Sequence, residues 1–199
     1  MKMRNWLIKI RKNKGLTQED VASAAFIDRA YYTQIENGNR NPSLHVAKNI
    51  ADTLNFSSSI FFMEHCEAFH LALTNSPIII AHCDLELRYT WIYNSLNFPS
   101  EQVIGLRDDE LTMNEGIVEF MTLKSTVLKE KKPLRKIVTF PFKKGVRTFD
   151  VFAQPLRNPN GNIIGISTSA TDLTDYLKKN ILYLKEQDHE GGFFELYTK

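Results

Sequence analysis

At about residue 75 the hydrophobic pattern of this chain changes period, and that change limits what it can fold into. Before residue 65 apolar side chains recur at helical spacing: Trp6, Leu7 and Ile10, then Val21, Ala22 and Ala25, then Val46, Ile50 and Leu54. Beyond residue 75 they gather in β-branched and aromatic runs, beginning with Ile78-Ile79-Ile80 and Tyr89-Thr90-Trp91-Ile92-Tyr93. A chain of 199 residues holds one large domain or two small ones. The switch favours two, an all-α unit followed by an α+β unit.

Local signals punctuate the helical part. Gly15 ends the first helix. Thr17 with Asp20 three residues on is a cap signal for a second helix, and Asp28 caps a third over residues 29–36, stopped by Asn37-Gly38. Pro42-Ser43 opens a fourth helix, and a short fifth turn covers residues 58–62. Charge is divided unevenly. Residues 1–56 carry nine Lys/Arg against five acids, a net +4, while the remainder is net −2. Lys9, Arg11, Lys12 and Lys14 form one basic run, which by itself marks only a solvated helix face.

The order helix, helix, short turn, helix is the helix-turn-helix pattern. Arg11-x-x-Lys14-Gly15-Leu16-Thr17-Gln18-Glu19-Asp20-Val21-Ala22, followed by Ile35-Glu36-Asn37-Gly38-Asn39-Arg40-Asn41-Pro42-Ser43, resembles the Xre family, the Cro and phage-repressor class, over about a third of the chain. The resemblance implies a lambda-repressor-like core of Leu7, Ile10, Leu16, Val21, Ile27, Tyr32, Ile35 and Leu54, with Arg11 paired to Glu36 across it. It implies double-stranded operator DNA as partner, with Gln18 on a phosphate at a helix N-terminus. Arg29, Ala30, Thr33 and Gln34 would face base edges, Arg suiting guanine, Gln suiting adenine, and Ala or Thr a thymine methyl. Tyr31 and Arg40 would serve as backbone contacts. Where the family commonly has Gly before the third helix this chain has Phe26, which predicts a strained or altered turn.

In the second half, two strands precede short helices and a longer helix over 116–131, in which Phe120, Leu123 and Val127 share a face. Three strands follow over 136–142, 147–155 and 163–171, joined by Lys143-Lys144-Gly145 and by Asn158-Pro159-Asn160-Gly161, an Asn-Gly hairpin signal. Residues 172–185 read as a closing helix. The stretches Asp84 to Asn94, Val103-Ile104-Gly105-Leu106-Arg107-Asp108-Asp109-Glu110-Leu111, and Asn160-Gly161-Asn162-Ile163 through Asp172-Leu173-Thr174 resemble, in order, parts of a PAS domain. The resemblance spans about half the chain. It implies a five-stranded antiparallel sheet with one face on helices, a cavity between, and sensing or dimerisation as its role.

His82, Trp91, Tyr93, Asn94, Phe120 and Phe140 are the candidate residues for such a cavity, with simple core packing as the alternative for the aromatic ones. Haem is disfavoured because the long helix carries no His. Flavin is disfavoured because Asn94 is followed by Ser95-Leu96-Asn97 rather than by Cys. An unidentified small ligand stays open, and no metal site is expected at His82-Cys83. Cys66 and Cys83 are the only cysteines, so reduced thiols and a cytoplasmic setting are the default, and no apolar run approaches the ~18 residues of a membrane span. No phosphate-binding Gly loop, G-x-S-x-G or H-E-x-x-H is present, so no enzyme is expected.

The sequence therefore predicts a multi-domain α + α/β regulator: a five-helix DNA-reading domain over 1–64, a linker over 65–74, a PAS-like domain over 75–175, and a C-terminal helix and tail over 176–199. A homodimer is expected, with Leu177, Ile181 and Leu184 either lining its seam or packing on their own sheet. A protein-interaction scaffold or antitoxin-like factor without a ligand is the alternative.

Overall fold

A computed structural model of the chain describes residues 3–63, 71, 73, 76–142 and 145–179. Its first part is five helices: α1 (Asn5–Asn13), α2 (Gln18–Ala24), α3 (Arg29–Glu36), α4 (Leu44–Leu54) and α5 (Ile60–Met63). The caps explain the boundaries. Thr17 Oγ1 accepts from Asp20 N at 3.1 Å while Thr17 N donates to Asp20 Oδ2 at 2.8 Å, a reciprocal box that satisfies two otherwise unpaired donors. These bonds from Thr17 hold the Asp20 carboxyl below the usual aspartate range. Asp28 accepts from Tyr31 N at 2.7 Å to start α3, and Ser43 accepts from Val46 N at 3.3 Å to start α4. Gly15 leaves α1 at φ +68, a turn that a side chain would strain.

Of the expected core, Leu7, Ile10, Val21, Tyr32, Ile35 and Leu54 are buried, and Leu16 and Ile27 pack against them half-covered. Ala22, Ala25, Ala47 and Ile50 complete the fit. The alanines among them let α2 approach α3 and α4 closely.

The second part is an antiparallel sheet of β1 (Ile78–Cys83), β2 (Tyr89–Tyr93), β3 (Leu134–Phe142), β4 (Gly145–Arg157) and β5 (Ile163–Asp172), in the order β2-β1-β5-β4-β3. Between β2 and β3 lie α6 (Ser100–Val103), α7 (Asp108–Leu111) and the long α8 (Glu115–Glu130). Phe149, Val151 and Ala153 alternate inward along β4 beneath α8, with Val138, Phe140 and Ile166 beside them. The β4–β5 connection is a loop over residues 158–162 rather than a two-residue turn, with Asn158 Oδ1 accepting from Asn160 N and Asn162 N at 3.0 Å each. Residues 174–179 form a helical turn after β5. Lys143, Lys144, Cys66, Ile181, Leu184 and Gly191-Gly192 lie outside the described residues. Among the described residues no helix is long and apolar enough to cross a membrane.

One irregularity separates α2 from α3. Phe26 adopts φ +58, the left-handed region, with its ring 88% exposed. An L-residue there meets a steric cost of about 1–2 kcal/mol, of which the extra unfolded-state freedom of glycine would offset about 0.5–1. Phe26→Gly is expected to stabilise the chain by about 0.5–1 kcal/mol, read as a higher urea midpoint at unchanged slope.

Candidate nucleic-acid interface and ligand cavity

The buried face of α3 is fixed by charge. Glu36 is 1% exposed and accepts from Arg11 Nε at 2.7 Å and Nη2 at 3.2 Å. Arg11 also donates through Nη1 to Leu16 O at 2.8 Å, and the bond to Glu36 raises its pKa despite burial. Gln18 extends the network. Its Nε2 donates to Glu36 Oε2 at 2.8 Å and its Oε1 accepts from Thr33 Oγ1 at 3.1 Å. The side chain expected to reach a phosphate is thus engaged within the head, tying α2 to α3. Arg4 Nη1 caps the same C-terminal end of α3, donating to Ile35 O at 2.7 Å and Arg40 O at 2.9 Å.

What this mounting presents outward is Arg29, Ala30 and Gln34, all exposed, with Tyr31 and Thr33 half-buried at the edges of the same helix. Arg40 places its guanidinium 5.3 Å from the centre of the Tyr31 ring, so the two side chains form one flat, positively charged shoulder beside α3.

In the sheet unit a cavity of about 140 Å³ lies between α8, the short helices and the inner sheet face. Phe120 and Phe140 border it, with Phe98, Phe142, Phe149 and Tyr89. His82, Trp91, Tyr93 and Asn94 do not, which corrects the expectation for those four. The reason is a β-bulge. Cys83 pairs with Tyr89 and His82 with Trp91, leaving Thr90 as an extra residue in β2. Tyr89 therefore joins Ile92, Ile79 and Ala81 on the cavity side, while Trp91 turns to the other face, its ring 5.2 Å from that of His82. Burial pushes His82 down to about 4, so its imidazole is neutral at pH 7. Asn94, at φ +59, donates to Ser76 O at 2.9 Å and Ile78 O at 3.0 Å and closes the first hairpin.

Behind the cavity wall is a polar cluster that the sequence reading missed. Lys124 of α8 is 0% exposed, and its Nζ donates to Asp108 Oδ2 at 2.7 Å, Tyr89 Oη at 3.3 Å and Cys83 Sγ at 3.5 Å. The same nitrogen lies 4.2 Å and 4.4 Å from the ring centres of Phe120 and Tyr89. Tyr89 Oη donates to Asp108 Oδ1. Burial pushes the Cys83 thiol up to about 12 and the Tyr89 phenol well above its ordinary value. Both are neutral at pH 7, so the charge that holds Lys124 protonated against the cost of burial is that of Asp108. The available sequence signal was Lys124 standing on the apolar stripe of its helix, four residues after Phe120 and three before Val127.

The two parts touch. Asn13 Nδ2 of α1 donates to Gly105 O at 2.7 Å, Arg88 Nη1 donates to the same oxygen at 3.0 Å, and Lys9 Nζ donates to Glu101 O. Gly105 N in turn donates to Tyr89 O at 2.8 Å. Gly105 has φ +85, and a Cβ there would stand 2.3 Å from Asn13 Nδ2, so the seat admits only glycine without movement. One buried cluster runs from Leu7 and Ile10 through Ile104 and Val103 to Tyr89 and Cys83.

This geometry defines a class: a helix-turn-helix head seated on a PAS fold. Family models agree with both halves, a helix-turn-helix at residues 7–61 and a PAS fold at residues 73–176. The chain is 58% identical over 64 residues to the uncharacterized HTH-type transcriptional regulator YqaF of Bacillus subtilis, covering 32% of this chain and 84% of that one. It is 36% identical over 114 residues to the probable histidine kinase 1 of Oryza sativa subsp. indica, covering 55% of this chain but only 12% of the kinase. Among solved structures it is similar to VqmA of Vibrio cholera in a ligand–DNA complex, with 19% identity, a TM-score of 0.47, and coverage of 68% of this chain and 63% of that chain. The chain belongs to the helix-turn-helix family of DNA-binding transcriptional regulators and carries a PAS-fold domain.

Breaking a buried ion pair on one side leaves an uncompensated charge, a cost of about 3–5 kcal/mol. Lys124→Met is expected to destabilise the chain by that amount in urea unfolding. Adding Asp108→Asn should recover part of the loss, so that the two changes are not additive.

Proposed function

We propose that the outward face of α3 reads an operator. Arg29 and Gln34 make the base-edge contacts, with Ala30 and Thr33 against thymine methyls, and Tyr31 and Arg40 hold the phosphate backbone. Gln18 serves by keeping Thr33 and Glu36 in place beneath the reading helix. The observation that carries this reading is the contrast across α3: one face locked by the buried Arg11–Glu36–Gln18 network, the other left exposed with Arg29 and Gln34.

Two copies act together in this reading, because one short reading helix touches few base pairs. Their heads fall about 34 Å apart, one duplex turn, on a near-palindromic site. The PAS cavity takes a small ligand, and the seat of α1 on Gly105 is the path by which occupancy changes how the heads are presented.

Operator sequences selected from random duplexes with the full chain provide the test. Arg29→Ala is expected to lower affinity by about 1–3 kcal/mol and relax preference at one base position. Arg40→Ala should weaken all sequences alike and reduce the salt slope by about one. Unchanged affinity and preference in Arg29→Ala would show that α3 is not the reading helix. For the path between the units, filling the cavity by Ala170→Leu should shift operator affinity in the wild-type background. The shift should vanish when combined with Asn13→Ala, and equal shifts in both backgrounds would place the coupling elsewhere.

A further inference from the structure

Non-glycine residues with a left-handed backbone single out one side chain of the head. Among the described residues they are Phe26, Asn55, Leu87, Asn94 and Lys131. Four of them have a local reason. Asparagine tolerates this region better than most side chains. Leu87 is buried, and Lys131 ends α8, where a cation is favoured. Phe26 has none of these. Its ring is 88% exposed and belongs to neither buried cluster, although its neighbours Ala25 and Ile27 both pack into the head.

The backbone there is set by the end of α2. Phe26 N donates to Ser23 O at 3.1 Å and Ile27 N donates to Ala22 O at 3.0 Å. These two bonds close a helix in the pattern for which glycine is the usual residue and asparagine the next. Phe26 therefore adds strain and hydrated apolar surface to the free protein, and the fold gains no packing from its ring. Strained backbone of this kind gathers where a side chain must be held for a ligand. The ring stands three residues before Arg29, at the N-terminal end of α3, which is the end that meets base edges in helix-turn-helix docking. A phenyl ring has no donor for a phosphate, and the nearby Asp28 carboxylate would repel one. The apolar feature that a duplex offers in its major groove is the thymine methyl.

We propose that Phe26 is a specificity-determining residue whose ring packs on the 5-methyl group of a thymine. That thymine lies beside the base pair read by Arg29, on the side away from Gln34. The left-handed turn holds the ring outward before DNA arrives, so no reordering is needed on binding. This rests on the reading of α3 as the DNA-contacting helix and adds one position to it.

The test is a protein–DNA mutant cycle with the full chain and its selected operator, each thymine being replaced in turn by deoxyuridine, which lacks only the methyl. For the wild type, one replacement beside the Arg29 base pair should weaken binding about fourfold, the worth of one buried methyl group. Phe26→Asn keeps the left-handed turn without the ring. It should weaken binding of the unmodified operator about four- to tenfold and abolish the response to that one replacement. Phe26→Tyr should keep both the affinity and the response. Wild-type affinity in Phe26→Asn, or the same deoxyuridine response in both proteins, overturns the assignment of Phe26. The α3 reading survives that result if Arg29→Ala still relaxes base preference, and falls with it if Arg29→Ala changes nothing. A Phe26→Asn chain that loses self-association in sedimentation assigns the ring to contact between copies and likewise overturns the proposal.

Discussion

The reading head depends on one carboxylate. Glu36, the last residue of α3, is sealed from water and receives Arg11 from α1 and Gln18 from α2. A buried ion pair adds little net stability, because desolvation offsets attraction. What it supplies is geometry. Three helices meet at two oxygens, and each bond is directional, so the angle of α3 relative to α1 and α2 is set more narrowly than apolar packing among Val21, Tyr32 and Ile35 could set it. The exposed row from Arg29 to Gln34 inherits that fixed angle.

The sheet unit repeats the arrangement with a lysine. Lys124 and Asp108 tie α8 to α7, and Tyr89 brings β2 into the same knot. The cavity lies against this knot, with Phe120 and Tyr89 shared between the two. Tyr89 also holds Gly105 through its backbone, and Gly105 receives Asn13 from the head. Tyr89 thus stands in contact with the cavity through its side chain and with the α1 seat through its main chain.

Most of the helical head was legible from the sequence because its signals are local. Thr17 with Asp20, Asp28, Ser43 and Gly15 each act within four residues, and each marks a boundary found in the structure. The Arg11–Glu36 pair was reachable only through resemblance, since nothing local brings residues 25 positions apart together. Phe26 was visible as an odd residue, and its left-handed backbone bears that out. The cavity was less legible. Phe120 stands on the helical stripe of Leu123 and Val127, and both it and Phe140 border the cavity. Trp91 and Tyr93 do not, because strict alternation would put them with Tyr89, and a bulge is a register event that the sequence of one strand does not reveal. Lys124 was hidden for the opposite reason: a charged residue on an apolar stripe reads as an exception until the partner 16 residues away, Asp108, is seen beside it.

The extra residue at Thr90 has a consequence for how such a chain can diversify. By splitting two aromatics of one short strand between opposite faces, it assigns Tyr89 to the interior compartment and Trp91 to the face that carries His82. The main chain of Tyr89 meanwhile holds Gly105, so side-chain changes on the interior face leave that backbone bond to the joint in place. Pairing β2 without the bulge would instead put Tyr89, Trp91 and Tyr93 on one face, so a single register change would repopulate both sides of the strand at once.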